Sequence, residues 1–147
     1  MGQQQLLLVI LVTIIVGIAT VVAINTFSSA SDSANLDSVR NDVVTFASSA
    51  QGYYMKPAML GGGGNSFNGI TFNQVAFPTD GIDGTGLIAF NSNGHYTIAG
   101  TDTTITMTAI PSSRADGPMS IDSDLAAGED ALVAEITPNN INWTANQ

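Results

Sequence analysis

Apolar and polar positions change period twice along this chain. From Leu6 to Ile24, nineteen successive residues carry no charge. A helix of that run rises about 28 Å at 1.5 Å per residue, close to the roughly 30 Å hydrocarbon core of a bilayer. From Leu36 the pattern opens out. Leu36, Val39, Val43, Phe46, Ala47, Ala50, Tyr53 and Tyr54 fall at helical spacing, with Asp37, Asn41, Thr45, Ser48 and Ser49 on the opposite side. That is the signature of an amphipathic helix with one face to cover. Beyond residue 70 the period shortens to two, and the chain reads as short strands.

The two helical stretches are joined by Ser28 to Ser33, which contains neither Pro nor Gly, so one helix can run from near the N-terminus to about Tyr54. Helix formers are poor in that link, and Ser31 or Asp32 can instead cap a second helix. Gly17 is a second weak point, since Gly costs about 1 kcal/mol against Ala inside a helix. Lys56 and Pro57 end the helical pattern, because a residue before Pro is pushed out of the helical region. The run Gly61 to Gly64 follows. No Gly-Lys-Ser/Thr and no strand-helix-strand context accompanies it, so a loop between helix and sheet is expected rather than a phosphate cradle.

In the last part, Ile70 to Phe72 and Val75 to Phe77 are rich in strand formers and bounded by Asn68, Gly69 and Pro78. Leu87 to Phe90, the turn Asn91-Ser92-Asn93-Gly94, and His95 to Ala99 predict a hairpin. Thr103 to Ile110 alternates, with Ile105, Met107 and Ala109 on one face and Thr104, Thr106 and Thr108 on the other, expected to be wet. Leu132, Ala134 and Ile136 predict a final strand, with Val133 and Glu135 on its reverse. Short turns between neighbours favour antiparallel pairing. The fold class expected is α+β, a long N-terminal helix packed on a small antiparallel sheet. Three segments follow: an apolar helix over 1–27, an amphipathic helix over 28–57, and a β-rich head over 58–147 with its Gly-rich loop at 61–64. Leu36, Val39, Val43, Phe46, Ala50 and Tyr53 are the residues expected to pack on the head.

Composition narrows the function. Of the 147 residues, roughly 120 remain after the apolar segment, enough for one small head. Twelve carboxylates against Arg40, Lys56 and Arg114 give a net charge of -9, which argues against a nucleic-acid partner, whose phosphates demand Lys and Arg. The absence of cysteine rules out disulfides, thiolate metal sites and a cysteine nucleophile.

Candidate chemistry is sparse, and no enzyme activity or cofactor is expected. His95, the single histidine, has no Ser/His/Asp spacing around it. Asp80 and Asp83 in the Asp80 to Gly86 loop, with Asp122 and Asp124 in the cluster Asp116, Asp122, Asp124, Glu129 and Asp130, offer oxygen ligands suited to calcium. They do not match the EF-hand spacing, and a solvated acidic loop is the simpler expectation. Asn142-Trp143-Thr144 fits the N-glycosylation acceptor pattern, while Trp143 is expected to pack on the sheet as a lid or meet a neighbouring subunit.

The apolar run itself has three readings. A cleaved secretory signal would carry a basic n-region and a small-residue cleavage site after a shorter apolar core, and nothing basic precedes this run. A membrane anchor is the second. A helix that waits in the membrane and then joins a protein assembly is the third.

An apolar N-terminal helix continuing as an amphipathic one, then a Gly-rich loop and strands, resembles the type IV pilins and the related pseudopilins. The resemblance covers the first 55 residues in pattern and the remainder in layout. It implies that a prepilin peptidase removes a short basic leader, that Met1 begins the mature chain, and that its amine is N-methylated. It places the glutamate typical of the family at mature position five, where this chain has Gln5. Gln5 cannot neutralise an amine, but Gln3, Gln4 and Gln5 can form a polar layer that solvates the amine of Met1 or of a neighbour. Cleavage between Gly2 and Gln3 would instead put Leu7 at position five.

The expectation from the resemblance is a structural subunit of an extracellular filament at the cell surface, a homopolymer inserted in the cytoplasmic membrane before assembly. Its partners are copies of itself, the prepilin peptidase and the inner-membrane assembly machinery. The filament core would be built from Gln3, Gln4, Gln5, Leu8, Val12, Ile15, Gly17 and Thr20. The alternatives are a single-span, membrane-anchored surface binding module and a pseudopilin of a secretion system.

Overall fold

The structure, a computed structural model, describes residues 2–115 and 131–145. It is an α+β chain that divides into two compact units, Met1–Ala34 and Asn35–Gln147. Helix α1, Gly2–Met55, is one element. No cap forms at Ser31 or Asp32. The hydroxyls that weaken a helix by competing for its backbone are instead absorbed by it: Thr13, Thr20, Thr26, Ser33 and Thr45 each donate to the carbonyl four residues earlier, at 2.7–2.9 Å.

Among the described residues six strands form one antiparallel sheet in chain order: β1 Gly81–Ile82, β2 Ile88–Phe90, β3 Gly94–Gly100, β4 Ile105–Pro111, β5 Leu132–Ile136 and β6 Ile141–Ala145. The predicted hairpin is present, with Phe90 opposite His95. Alternation along β4 is as expected. Ile105, Met107 and Ala109 are buried on the helix side, while Thr106 is exposed and Thr104 and Thr108 are half-exposed on the reverse. Val39, Val43, Phe46, Ala47 and Ala50 of α1 are fully buried in the same core as Tyr96, Ile98, Leu132, Ala134 and Ile136, with Leu36 and Tyr53 packed at its margin. At about 25 cal/mol per Å² of apolar surface, this seam is the main force that folds the second unit.

Two expectations over the strands are corrected. The segment from Ile70 to Phe77 is not strand. Thr71 and Gln74 close a capping box around a short 3-10 turn at Phe72–Gln74, which diverts the backbone from any ladder. Ile70 and Phe72 are buried all the same, and Val75 and Phe77 are half-buried against the core. Phe72 and Phe77 lie 4.9 Å apart and enclose Phe46, 5.2 and 6.0 Å away, and Phe77 meets Tyr96 edge-on at 4.9 Å. The segment plugs the core as a flap.

The strand at Leu132–Ile136 is not the last. The chain turns at Thr137 to Asn140, closed by a Thr137 N–H to Asn140 carbonyl bond of 2.8 Å, and β6 pairs beside it. Trp143 is therefore a strand residue, half-buried against the core, and not a lid.

The Gly-rich loop finishes the helix. The N–H groups of Gly63, Gly64 and Asn65 donate back to the carbonyls of Tyr53, Lys56 and Tyr54 at 2.8–3.0 Å, so carbonyls that a helix end leaves orphaned are satisfied. A Cβ on Gly63 would stand 1.9 Å from the Ser66 carbonyl oxygen and 2.8 Å from the Tyr53 ring, which is why the loop can close only on glycine there. With Gly63 and Gly64 turned onto the helix, their N–H groups do not form a phosphate cradle.

Candidate functional site

Two features carry the functional question: the apolar half of α1 and the polar row that fixes its other half to the head.

In the first unit the large apolar side chains from Leu6 to Ile24, Leu8, Val12 and Ile15 among them, are exposed, on a helix long and apolar enough to cross a membrane. Gln3, Gln4 and Gln5 lie exposed in its first turns, where no acidic residue is present. Met1 lies outside the described residues, so the amine expected beside Gln5 has no described position. Gly17 has open space where a Cβ would stand, and Thr13, Gly17 and Thr20 follow one another at helical spacing down one side. With the Thr13 and Thr20 hydroxyls spent on Val9 and Val16 carbonyls, this side brings neither a charge nor an unpaired donor to an apolar surrounding.

In the second unit, α1 is pinned to the head, chiefly to its loops, by polar groups spaced seven apart: Asn35, Asp42 and Ser49. The Asn35 amide donates to the Asn93 carbonyl at 2.9 Å and its oxygen accepts from the Ser113 N–H at 3.1 Å. The Ser49 hydroxyl donates to the Ala76 carbonyl at 3.0 Å.

Asp42, at the centre, is buried. Its Oδ2 accepts from the Asn91 amide at 2.9 Å, the Asn93 amide at 2.8 Å and the Tyr96 hydroxyl at 2.7 Å. Asn91 is itself fully engaged. Its amide nitrogen also donates to the Pro78 carbonyl, and its oxygen accepts from the N–H groups of Asn93 and Gly94. Burial, then the hydrogen bond and charge of Asp42, hold the Tyr96 phenol far above the usual range, so it stays a donor. A shallow groove of about 370 Å³ opens next to this cluster, lined by Pro78, Thr79, Asp80, Asn91, Ser92 and Asn93.

The acidic candidates part company. Asp80 lies exposed on that groove. Asp83 is a turn organiser: one carboxylate oxygen accepts from the N–H groups of Leu87 and Ile88, and the other from the N–H and hydroxyl of Thr85. Burial would raise its pKa, but the Thr85 hydroxyl and the N–H groups of Ile88, Thr85 and Leu87 together outweigh that and hold it below the usual carboxylate value. Asp122 and Asp124 lie outside the described residues, as do Asp116, Glu129 and Asp130. Among the described residues no three His, Asp or Glu side chains converge to hold a metal ion.

His95 is buried with its Nε2 unpartnered among the described residues, and burial depresses its pKa below 6.5. It lies on the sheet face opposite Tyr96, cross-strand from Phe90 and Ile110.

The Asp42 cluster is the feature that periodicity did not reveal. Its signal was present, since Asp42 falls three residues after Val39 and four before Phe46, on the apolar stripe itself. An acid in that position has to be either exposed by a break in the stripe or bonded inside it. A scan against protein-family models finds no match, and comparison with curated proteins and with solved structures finds none either.

Proposed function

We propose that this chain is the structural subunit of a type IV pilus-like extracellular filament, in which the apolar halves of α1 pack together as the core and the acidic heads form the outer surface. The observation that carries the proposal is a single helix whose first half presents uncharged, exposed apolar side chains while its second half is the packing partner of a six-stranded sheet. A helix that served only as a tether would not need to double as the head's core. In a filament, each apolar half is covered by others. At about 25 cal/mol per Å², several hundred Å² of contact gives on the order of 10 kcal/mol per subunit. Small residues at Gly17 and Thr20 let helix backbones approach.

A bilayer covers the same surface equally well, so the chain waits in the cytoplasmic membrane and its extraction needs a machine. The resemblance supplies that machine as inner-membrane assembly proteins, and supplies a prepilin peptidase and N-methylation at Met1. The glutamine layer Gln3 to Gln5 takes the place of the single glutamate, solvating the amine of a neighbour without neutralising it.

The test is Val12→Asp. Each subunit of a filament would then bury an unpaired carboxylate, at a cost of several kcal/mol, so filaments are lost while the chain remains in the membrane fraction. Normal filaments from this variant would refute the core assignment. A head merely tethered in the membrane yields no filaments from the unsubstituted chain either, which separates the two arrangements.

A further inference from the structure

We infer that Asn142 is an N-glycosylation site, and that its glycan covers the open edge of the head's sheet. The inference rests on the head lying outside the cytoplasm, as the filament reading requires.

Asn142-Trp143-Thr144 is the one Asn-x-Ser/Thr in the sequence, and β6 displays it in a usable way. Trp143 packs against the core while Asn142 and Thr144 are exposed, and Thr144 is the residue passed over by a register shift opposite Val133 and Ala134. The two groups a transferase reads are thus both accessible, while the residue between them anchors the strand. Asn142 Oδ1 accepts from the Asn140 amide at 2.9 Å, and the side chain that carries Nδ2, the atom to be modified, is exposed. The Thr144 hydroxyl donates to the Val133 carbonyl at 3.2 Å, beyond the roughly 2.5–3.0 Å usual for an O–H···O bond.

The position within the sheet is a second, independent observation. The described sheet ends on β6 at one side and on β1 at the other. β1 has two residues, too short to template another strand. β6 has five, INWTA, with neither Pro nor charge, although exposed edges are ordinarily blunted by just those residues. A bulky, hydrophilic glycan on Asn142 supplies that protection and leaves the Trp143 side of the strand undisturbed.

The modification is a group transfer from a lipid-linked sugar phosphate. The Asn142 Nδ2 attacks the anomeric carbon, and a C–N bond forms as the C–O bond to phosphate breaks. The lipid phosphate leaves with the electron pair, and one amide proton passes to the transferase's base.

The experiment takes the full chain from the cell envelope of its native host, after labelling intact cells with a membrane-impermeant amine reagent that reaches the exposed Lys56. Trypsin cuts after Arg114, the last basic residue, and releases peptide 115–147 for mass spectrometry. The expected result is a Lys56-labelled chain whose peptide is heavier than its sequence by one or more sugars, localised to Asn142. The excess is lost in Asn142→Gln and Thr144→Ala and kept in Thr144→Ser. A labelled chain with this peptide at its sequence mass would overturn the glycan and leave the filament reading standing. A chain that is not labelled from outside would overturn both.

Discussion

The hydroxyl of Tyr96, in the third strand of the sheet, donates at 2.7 Å to the carboxylate of Asp42, in the helix that covers it. Three donors converge on that one oxygen, so the bond is part of a satisfied cluster and not an isolated contact. Removing the acceptor strands all of them. In the detergent-solubilised full chain, Asp42→Ala is expected to lower head stability by about 3 kcal/mol or more, since each unsatisfied buried donor costs on the order of 1–3 kcal/mol. Tyr96→Phe removes one bond to a charged group and should cost about 1.5–3 kcal/mol. Urea denaturation monitored at Trp143 reads both, and equal stability of Asp42→Ala and the parent would contradict the pin.

Acid and base should each weaken the head through a different residue. His95 is neutral in the fold because burial lowers its pKa. Below about 6.5 the unfolded chain therefore binds more protons than the folded one, and stability falls as pH drops from 7 toward 5. Asp83, whose pKa is lowered, contributes only in a lower window, below about 4. Tyr96 has its pKa raised, so stability is lost as pH climbs above about 10, where the unfolded phenol ionises first. His95→Phe should flatten the pH 5–7 limb alone, measured as the urea midpoint across pH. An unchanged limb would place the acid sensitivity elsewhere.

The two glycines on either side of the helix's second half should respond in opposite senses to alanine. Gly63→Ala drives a Cβ into the Ser66 carbonyl and the Tyr53 ring and should destabilise the head by about 1–3 kcal/mol, the usual cost of overpacking. Gly17→Ala meets nothing in the chain and should raise helix stability by up to about 1 kcal/mol. Circular dichroism of the two variants in detergent decides. If Gly17→Ala then impairs filament formation while its helix is firmer, close helix approach at Gly17 is the cause.

Gln5→Glu should be tolerated or favourable for assembly if the amine of Met1 or a neighbour lies by the glutamine layer, because a carboxylate can then pair with it. The yield of sheared filaments measures this. Lost assembly would assign Gln3 to Gln5 another role.

Much of this fold was legible from period alone. Val39, Val43 and Phe46 at helical spacing, and Ile105, Met107 and Ala109 at spacing two, mark burial on one face of a regular element, and both faces are buried as read. Ile70 to Phe77 misled because apolar composition reports burial and not hydrogen bonding. Phe72 and Phe77 do enter the core, on a backbone held by Thr71 and Gln74. β6 was missed because Asn142 and Thr144 dilute a five-residue strand below a recognisable run. Asp42 was hidden by its own position, since its partners Asn91, Asn93 and Tyr96 lie about fifty residues away, a distance that no local pattern crosses. The exposed apolar side chains of Leu8, Val12 and Ile15 were legible as a run needing cover, but lipid and neighbouring helices are the same solvent to an uncharged helix.

Electron microscopy of material sheared from the cell surface, with mass spectrometry of the N-terminal peptide from the same preparation, separates those two covers most directly. The account predicts thin filaments composed of this chain, beginning at a methylated Met1 and carrying Gln5 at the fifth position. Sheared material without filaments, and the intact protein left in the membrane fraction, would contradict it.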